Sequence, residues 1–204
     1  MGGVSEHVSA LDTVEAAALE RPVATMQEAD AREWVQRVYR RQFDFVWRTL
    51  RGLGVSEAQV DDAVQDVFIV VYRRRHDFRP DSSEKAWLFQ IARYVAGNHR
   101  RTRRRKGDLV PLSDESPAVA TLPPDEQAAR NEASALLMQF LEMLNDEQRD
   151  VFVLMELTGA SAREASEALN AKANTIYSRL RLARQRWDEF VGAHAARMAE
   201  DHDG

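Results

Sequence analysis

The sequence predicts an all-α protein: two small helical domains joined by a flexible linker. Three observations carry that reading. Val60, Val64, Val67, Phe68 and Val71 recur at i, i+4, i+7, i+8 and i+11, the apolar stripe of an amphipathic helix. Residues 107–125 hold four of the six prolines (Pro111, Pro117, Pro123, Pro124) and have no regular apolar period. Beyond them a short helix, a tight turn and a longer helix follow in order, the helix-turn-helix plan. The chain therefore divides into an acidic, disordered extension (1–30), a first domain (31–106), a linker (107–125), a second domain (126–191) and a polar tail (192–204).

In the first domain a helix is expected over 31–53, with Trp34, Val38, Phe45 and Trp47 among its apolar positions. Gly52 and Gly54 end it, and Ser56 is placed to cap the next. That second helix turns Asp62, Gln65, Asp66 and Ile69 outward, an isoleucine set among acids. Pro80 and its polar neighbours make 76–85 a loop. From Ala86 a third helix turns Leu88, Ile91, Ala92 and Val95 inward and Gln90, Arg93, Tyr94, Gly97, Asn98 and Arg101 outward. Residues 88–106 contain seven Lys/Arg and no acid, with Trp87, Phe89 and Tyr94 beside or among them. Cations interleaved with aromatics suit a nucleic-acid backbone with bases to stack on.

The second domain opens with a helix from 126 to 143 that buries Leu136, Leu137, Phe140 and Leu141. Asn145 caps the next, with Gln148 as its capping-box partner. Ser161 and Glu164 form a second capping box, Asn170 closes the short helix, and Asn174 caps the last one. Ile176, Leu180, Ala183 and Trp187 make the buried stripe of that last helix.

Composition narrows the function class. Net charge is −5, yet residues 1–30 carry six acids and one base, leaving 27 of each sign over 31–204. A phosphate backbone meets the local basic block and not the overall balance. The acidic extension reads first as a solvated tail and second as a mask for basic surfaces. Zero cysteines and the absence of a basic n-region with an apolar core point to a reducing, cytoplasmic setting. No apolar run approaches the roughly 20 residues of a membrane span. The five histidines are scattered and no Gly-rich phosphate loop or nucleophile elbow occurs, so no enzyme, cofactor or metal is expected.

In order, the chain shows DDAVQDVF, a loop ending in W-L-x-x-I-A-R, a basic run, a Pro-rich linker and LNDEQRDVFVLMELTGASAREASEALNAKANTIYSRLRLARQRW. This order resembles the compact, extracytoplasmic-function-type bacterial sigma factors of the sigma-70 family, with 38–106 as region 2 and 136–190 as region 4. The resemblance implies a subunit that binds core RNA polymerase, through the β′ clamp and β flap, and directs it to promoter DNA. An anti-sigma protein is a further implied partner.

Carried over by position, the polymerase-binding residues are Asp61, Asp62, Gln65, Asp66, Phe68 and Ile69. Those for the −10 element are Phe78, Arg79, Ser82, Ser83, Lys85, Trp87, Arg93, Tyr94, Asn98 and Arg101. Those for the −35 element are Lys172, Asn174, Thr175, Tyr177, Ser178, Arg179, Arg181 and Arg184. Ala165–Ser166 stands where the family usually has Ile-Ala, so a thinner helix-turn-helix core is expected. The alternative class is a stand-alone helix-turn-helix regulator, which would have no use for an acidic helix bearing an outward isoleucine.

Overall fold

The structure, a computed structural model, describes residues 28–105 and 124–202. The expectations for 1–27 and for the linker segment 106–123 lie outside those residues. All elements among the described residues are helical: α1 (Glu28–Gly52), α2 (Glu57–Arg73), a 3₁₀ turn (Arg75–Asp77), α3 (Glu84–Arg105), α4 (Pro124–Met143), α5 (Asp146–Phe152), a π segment (Val153–Leu157), α6 (Ala162–Leu169) and α7 (Ala173–His202). No helix among the described residues is long and apolar enough to cross a membrane.

The first half is a three-helix bundle. In α1, Val38, Phe45, Val46 and Leu50 are buried at helical spacing, and α2 contributes Val60, Val64, Val67, Phe68 and Val71. Gly54 ends the first hairpin at φ 87°, a left-handed conformation that costs a glycine little. Ser56 stands at the N-cap of α2, but its hydroxyl donates to Gln59 Oε1 at 3.2 Å and does not accept a backbone N–H. The start of α3 is fixed from α1: Arg41 donates to both oxygens of Glu84, at 3.2 and 2.5 Å, and Gln42 Nε2 donates to Glu84 Oε1 at 2.8 Å. This two-pronged contact sets where the preceding loop begins its turn.

The second half surrounds Phe140, which meets Phe152, Trp187 and Phe190 with ring centroids 5.0–5.8 Å apart. Arg149 closes the end of α4 by donating to the Leu141, Glu142 and Leu144 carbonyls at 2.7, 3.4 and 2.8 Å. Carbonyls at a helix C-terminus lack the i+4 N–H that would satisfy them inside the helix, and a side chain reaching back takes its place. Asn145 caps α5 through the Gln148 N–H, but Gln148 does not return the bond, because its side chain accepts from Arg186 at 2.7 Å. Ser161 and Glu164 form the full capping box of α6, and Asn170 follows at φ 47°. The last helix starts at Ala173, two residues earlier than an Asn174 cap implies, and runs on to His202, so Asn174 sits in the first turn, where the Thr175 and Ile176 N–H groups donate to the Lys172 carbonyl.

The two halves pack on each other. One continuous core runs through both, with α6 against α3 and the π segment against the end of α1. A second covered side explains why Ala86, Phe89 and Ala96 are buried although they lie off the stripe of Leu88, Ile91, Ala92 and Val95. Phe89, grouped above with the aromatics of the basic run, is therefore a packing residue.

Ala165 is fully buried and the neighbouring Ser166 hydroxyl is buried without a hydrogen-bond partner. An orphaned buried hydroxyl costs roughly 1–3 kcal/mol. Ser166→Ala is accordingly expected to raise the urea midpoint, by up to about 1–3 kcal/mol in free energy; an unchanged or lowered midpoint would show that the hydroxyl has a partner in solution.

Candidate nucleic-acid interface

Three surfaces carry the residues singled out in the sequence. The first is the outer face of α2, where Asp61, Asp62, Gln65 and Asp66 are exposed and Ile69 is 47% exposed among them. Phe68 does not share this face. It is 7% exposed and packs edge-on against Tyr39 of α1 at 4.8 Å, because its spacing from Val64, Val67 and Val71 turns it inward. Tyr39, exposed at the same seam, supplies an aromatic that the sequence pattern did not single out. Asp66 is held by His99 of α3, Nε2 to Oδ2 at 2.9 Å, so the acidic face is tied to the basic helix behind it.

The second surface joins the loop before α3 to α3 itself. Phe78 and Trp87 are half-buried, 5.3 Å apart, and both rest on Trp34 of α1, at 5.9 and 6.3 Å. Trp34 was legible only as a core position. Tyr94, 63% exposed, lies beyond them, and Val70, Arg74, Trp87, Gln90, Ile91 and Tyr94 line a groove of about 350 Å³. The groove has two aromatic side chains and one guanidinium, that of Arg74, which pairs with Asp77 at 2.8 Å; aromatic faces of this kind are surfaces on which an unpaired base can stack. Arg79 is exposed, and the Ser82 hydroxyl is engaged with the Arg79 carbonyl at 2.7 Å. Asn98 accepts from Arg101 at 2.5 Å near the far end of α3.

Three further residues of this set face elsewhere. Lys85 lies over the Phe45 ring at 5.8 Å. The Ser83 N–H donates to Glu167 of α6 at 2.7 Å, and its hydroxyl lies 3.5 Å from Glu164. Arg93 forms an ion pair with Asp150 of α5 at 2.9 Å. Gln90 joins them, donating to the Ala168 carbonyl at 3.3 Å. Asp150 and Glu167 went unnoticed in the sequence because nothing local marks them, and Glu164 was singled out only as the capping-box partner of Ser161; the significance of all three here comes from a contact between distant segments.

The electrostatics of that contact are uneven. Burial pushes the Asp150 carboxyl up to about 6, even though Arg93 pulls it down; Asp146 adds to the rise, and Arg149 and Arg100 oppose it. Burial also pushes Glu164 up, but the Ser161 N–H and hydroxyl outweigh it and hold its carboxyl below the usual range.

The third surface is the N-terminal half of α7. Asn174, Tyr177 (56% exposed), Ser178 and Arg181 form one outward row, with Lys172 exposed at its foot and Thr175 half-buried. Arg181 has no ion pair among the described residues. Arg179 is taken up by Glu147 at 2.5 Å, and Arg184 by Glu156 at 2.6 Å, so these two cations are already compensated. A row at i, i+3, i+4 and i+7 on a helix following a tight turn is the arrangement that meets base edges in a major groove.

Known proteins share this architecture. The family model for sigma-70 region 2 matches residues 38–106, and that for sigma-70 region 4 matches residues 134–186. The chain is 36% identical over 138 residues to the RNA polymerase sigma factor NccH of Alcaligenes xylosoxydans xylosoxydans, covering 66% of this chain and 74% of that one. Its fold is similar to that of CnrH solved in complex with the cytosolic domain of CnrY: TM-score 0.62, 26% identity, 89% of this chain and 97% of that one. It is also similar to the sigma factor RpoE solved with the anti-sigma factor NepR from Bartonella quintana: TM-score 0.57, 25% identity, 77% and 96% coverage.

Asp150 yields a pH test. Its folded-state value lies above the ordinary 3.8, so its contribution to stability is full below about 3.8 and is lost as pH rises through about 6. Between pH of about 4 and about 7 the protein should lose stability relative to its Asp150→Asn variant, as read by paired urea melts. Parallel pH profiles for the two proteins would show that Asp150 titrates normally.

Proposed function

This chain belongs to the sigma-70 family, as a sigma factor of the extracytoplasmic-function type, and we propose that it binds core RNA polymerase, directs it to a two-part promoter, assists local melting and so starts transcription at a specific set of genes. One observation favours this reading over a stand-alone helix-turn-helix regulator. On the outer face of α2, Ile69 is 47% exposed among Asp61, Asp62, Gln65 and Asp66, none of which belongs to the residues assigned to either DNA element. A regulator acting on duplex DNA alone has no use for such a face, whereas an initiation subunit needs a protein-facing surface.

In this reading Asp61, Asp62, Gln65, Asp66 and Ile69 face the β′ clamp, with Tyr39 beside them and Phe68 supporting from within. The Phe78–Trp87–Tyr94 aromatics take unpaired −10 bases while Arg79, Arg93 and Arg101 hold phosphates. Each stacked base contributes roughly 1–3 kcal/mol, so a few contacts offset local unpairing. Asn174, Tyr177, Ser178 and Arg181 read the −35 element in the duplex, with Lys172 on its backbone. The domains assigned to these tasks are 31–106 and 126–191, with the second also meeting the β flap. The protein works in the cytoplasm, performs no catalytic step of its own, and has an anti-sigma protein among its partners, a reading supported by the similar sigma factor RpoE solved with the anti-sigma factor NepR.

Run-off transcription with purified core polymerase tests the reading directly: promoter-dependent transcripts support it, and none on any candidate promoter would sink it. Arg181→Ala should weaken duplex −35 binding by roughly 1–3 kcal/mol and relax sequence preference there; a uniform loss across sequences would demote Arg181 to a phosphate contact. Asp62→Arg, at a position that makes no ion pair among the described residues, should weaken association with core polymerase at least about tenfold, some 1.4 kcal/mol, without lowering the melting temperature. Undiminished co-elution would refute the docking assignment.

A further inference from the structure

The contact between the two halves falls on residues that the proposed function needs. The Ser83 N–H, the Ser83 hydroxyl and the Arg93 guanidinium are donors suited to phosphate or base oxygens. Here they face carboxylates of the second half: Glu167 at 2.7 Å, Glu164 at 3.5 Å and Asp150 at 2.9 Å. Gln90, on the lip of the aromatic groove, is held by the Ala168 carbonyl. The reading row of α7 is not covered in this way, since Asn174, Tyr177, Ser178 and Arg181 all remain exposed.

We infer that this packed arrangement is a self-occluded form of the protein, in which carboxylates of α5 and α6 occupy the −10 strand's positions while the −35 reading helix stays accessible. The inference rests on the −10 assignment of Ser83 and Arg93 given above. Carboxylate oxygens replace phosphate and base oxygens at the same donors, so strand and second half compete for one surface. Release requires the halves to part. The 18 residues from 106 to 123 can span up to about 60 Å when extended, enough to let them do so.

A steric feature holds the seam together. A Cβ added at Gly52 of α1 would meet Val153 Cγ2 at 2.7 Å and Leu157 Cδ1 at 3.1 Å, so the π segment approaches α1 as closely as a glycine allows. Gly52 and Val153 belong to neither DNA surface nor to the acidic face. The same proximity suits a disulfide, whose Cβ atoms stand about 3.5–4.5 Å apart. The chain has no cysteine of its own, so a pair introduced here can bond only across the seam or between molecules.

The test is the double variant Gly52→Cys with Val153→Cys, compared oxidised and reduced, as monomer, on a single-stranded −10 oligonucleotide, on duplex −35 DNA and in transcription with core polymerase. The locked protein should bind the single strand at least about tenfold more weakly than its reduced form, bind the duplex within about twofold, and give no transcript; reductant should restore both. Gly52→Leu, which wedges the seam, should instead raise single-strand affinity of the free protein. Failure of the disulfide to form, or a locked protein that transcribes as well as the reduced one, overturns the self-occlusion. A reduced form that gives no promoter-dependent transcript overturns the initiation reading on which it rests.

Discussion

Burial of α3 from two sides is the constraint on which the rest depends. Its Leu88–Ile91–Ala92–Val95 stripe closes the bundle with α1 and α2, and its other covered side receives α6. A helix that is apolar over so much of its first three turns has little surface left for charge. Its cations are therefore pushed to the rim, at Arg93, and to the C-terminal turns, at Arg100, Arg101 and Arg103. The chemistry of the proposed −10 surface follows from that packing: aromatics stay half-sunk near the core, and guanidinium groups remain where side chains can still reach solvent.

The helices that do not read DNA in the proposed scheme hold those that do. Arg41 and Gln42 fix Glu84, and with it the first turn of α3 and the loop leading into it. Arg149 plays a comparable part in the second half, closing α4 and leading the chain into α5. In each case one charged side chain gathers several hydrogen bonds at a helix end: Glu84 accepts from Arg41 and Gln42, and Arg149 donates to three carbonyls, so the turn is held in place.

The inward stripes of α2, α3 and α7 were legible in the sequence because helical periodicity is a local property, as were the Ser161–Glu164 box and the left-handed Asn170. Caps that depend on a competing partner were not: Ser56 turns to Gln59, and Gln148 is drawn off by Arg186. The outward positions of Ile69, Tyr94, Tyr177 and Arg181 also followed from spacing. Phe68 already lay on the inward stripe and was a polymerase contact only through the resemblance, whereas Phe89 was grouped with the aromatics of the basic run because the covering of α3 by α6 is not a local property. Tyr39, Asp150 and Glu167 escaped notice, and Trp34 was read only as a core position, for one reason: each matters through a neighbour tens of residues away, and a single sequence records no such pairing.

The π segment bears on the relation between the halves. Five residues, Val153–Leu157, take a wider turn than the α-helix that precedes them, with the Thr158 N–H reaching back to the Val153 carbonyl. Each residue in a regular helix advances the chain by about 100° around the axis. One residue absorbed in a widened turn thus works as a phase offset between α5 and everything after it. It brings Val153 onto Gly52 while still delivering α6 to α3. Shortened by that residue, the same helices would keep their caps and stripes and yet aim the helix-turn-helix about a quarter of a turn away from the groove it now borders.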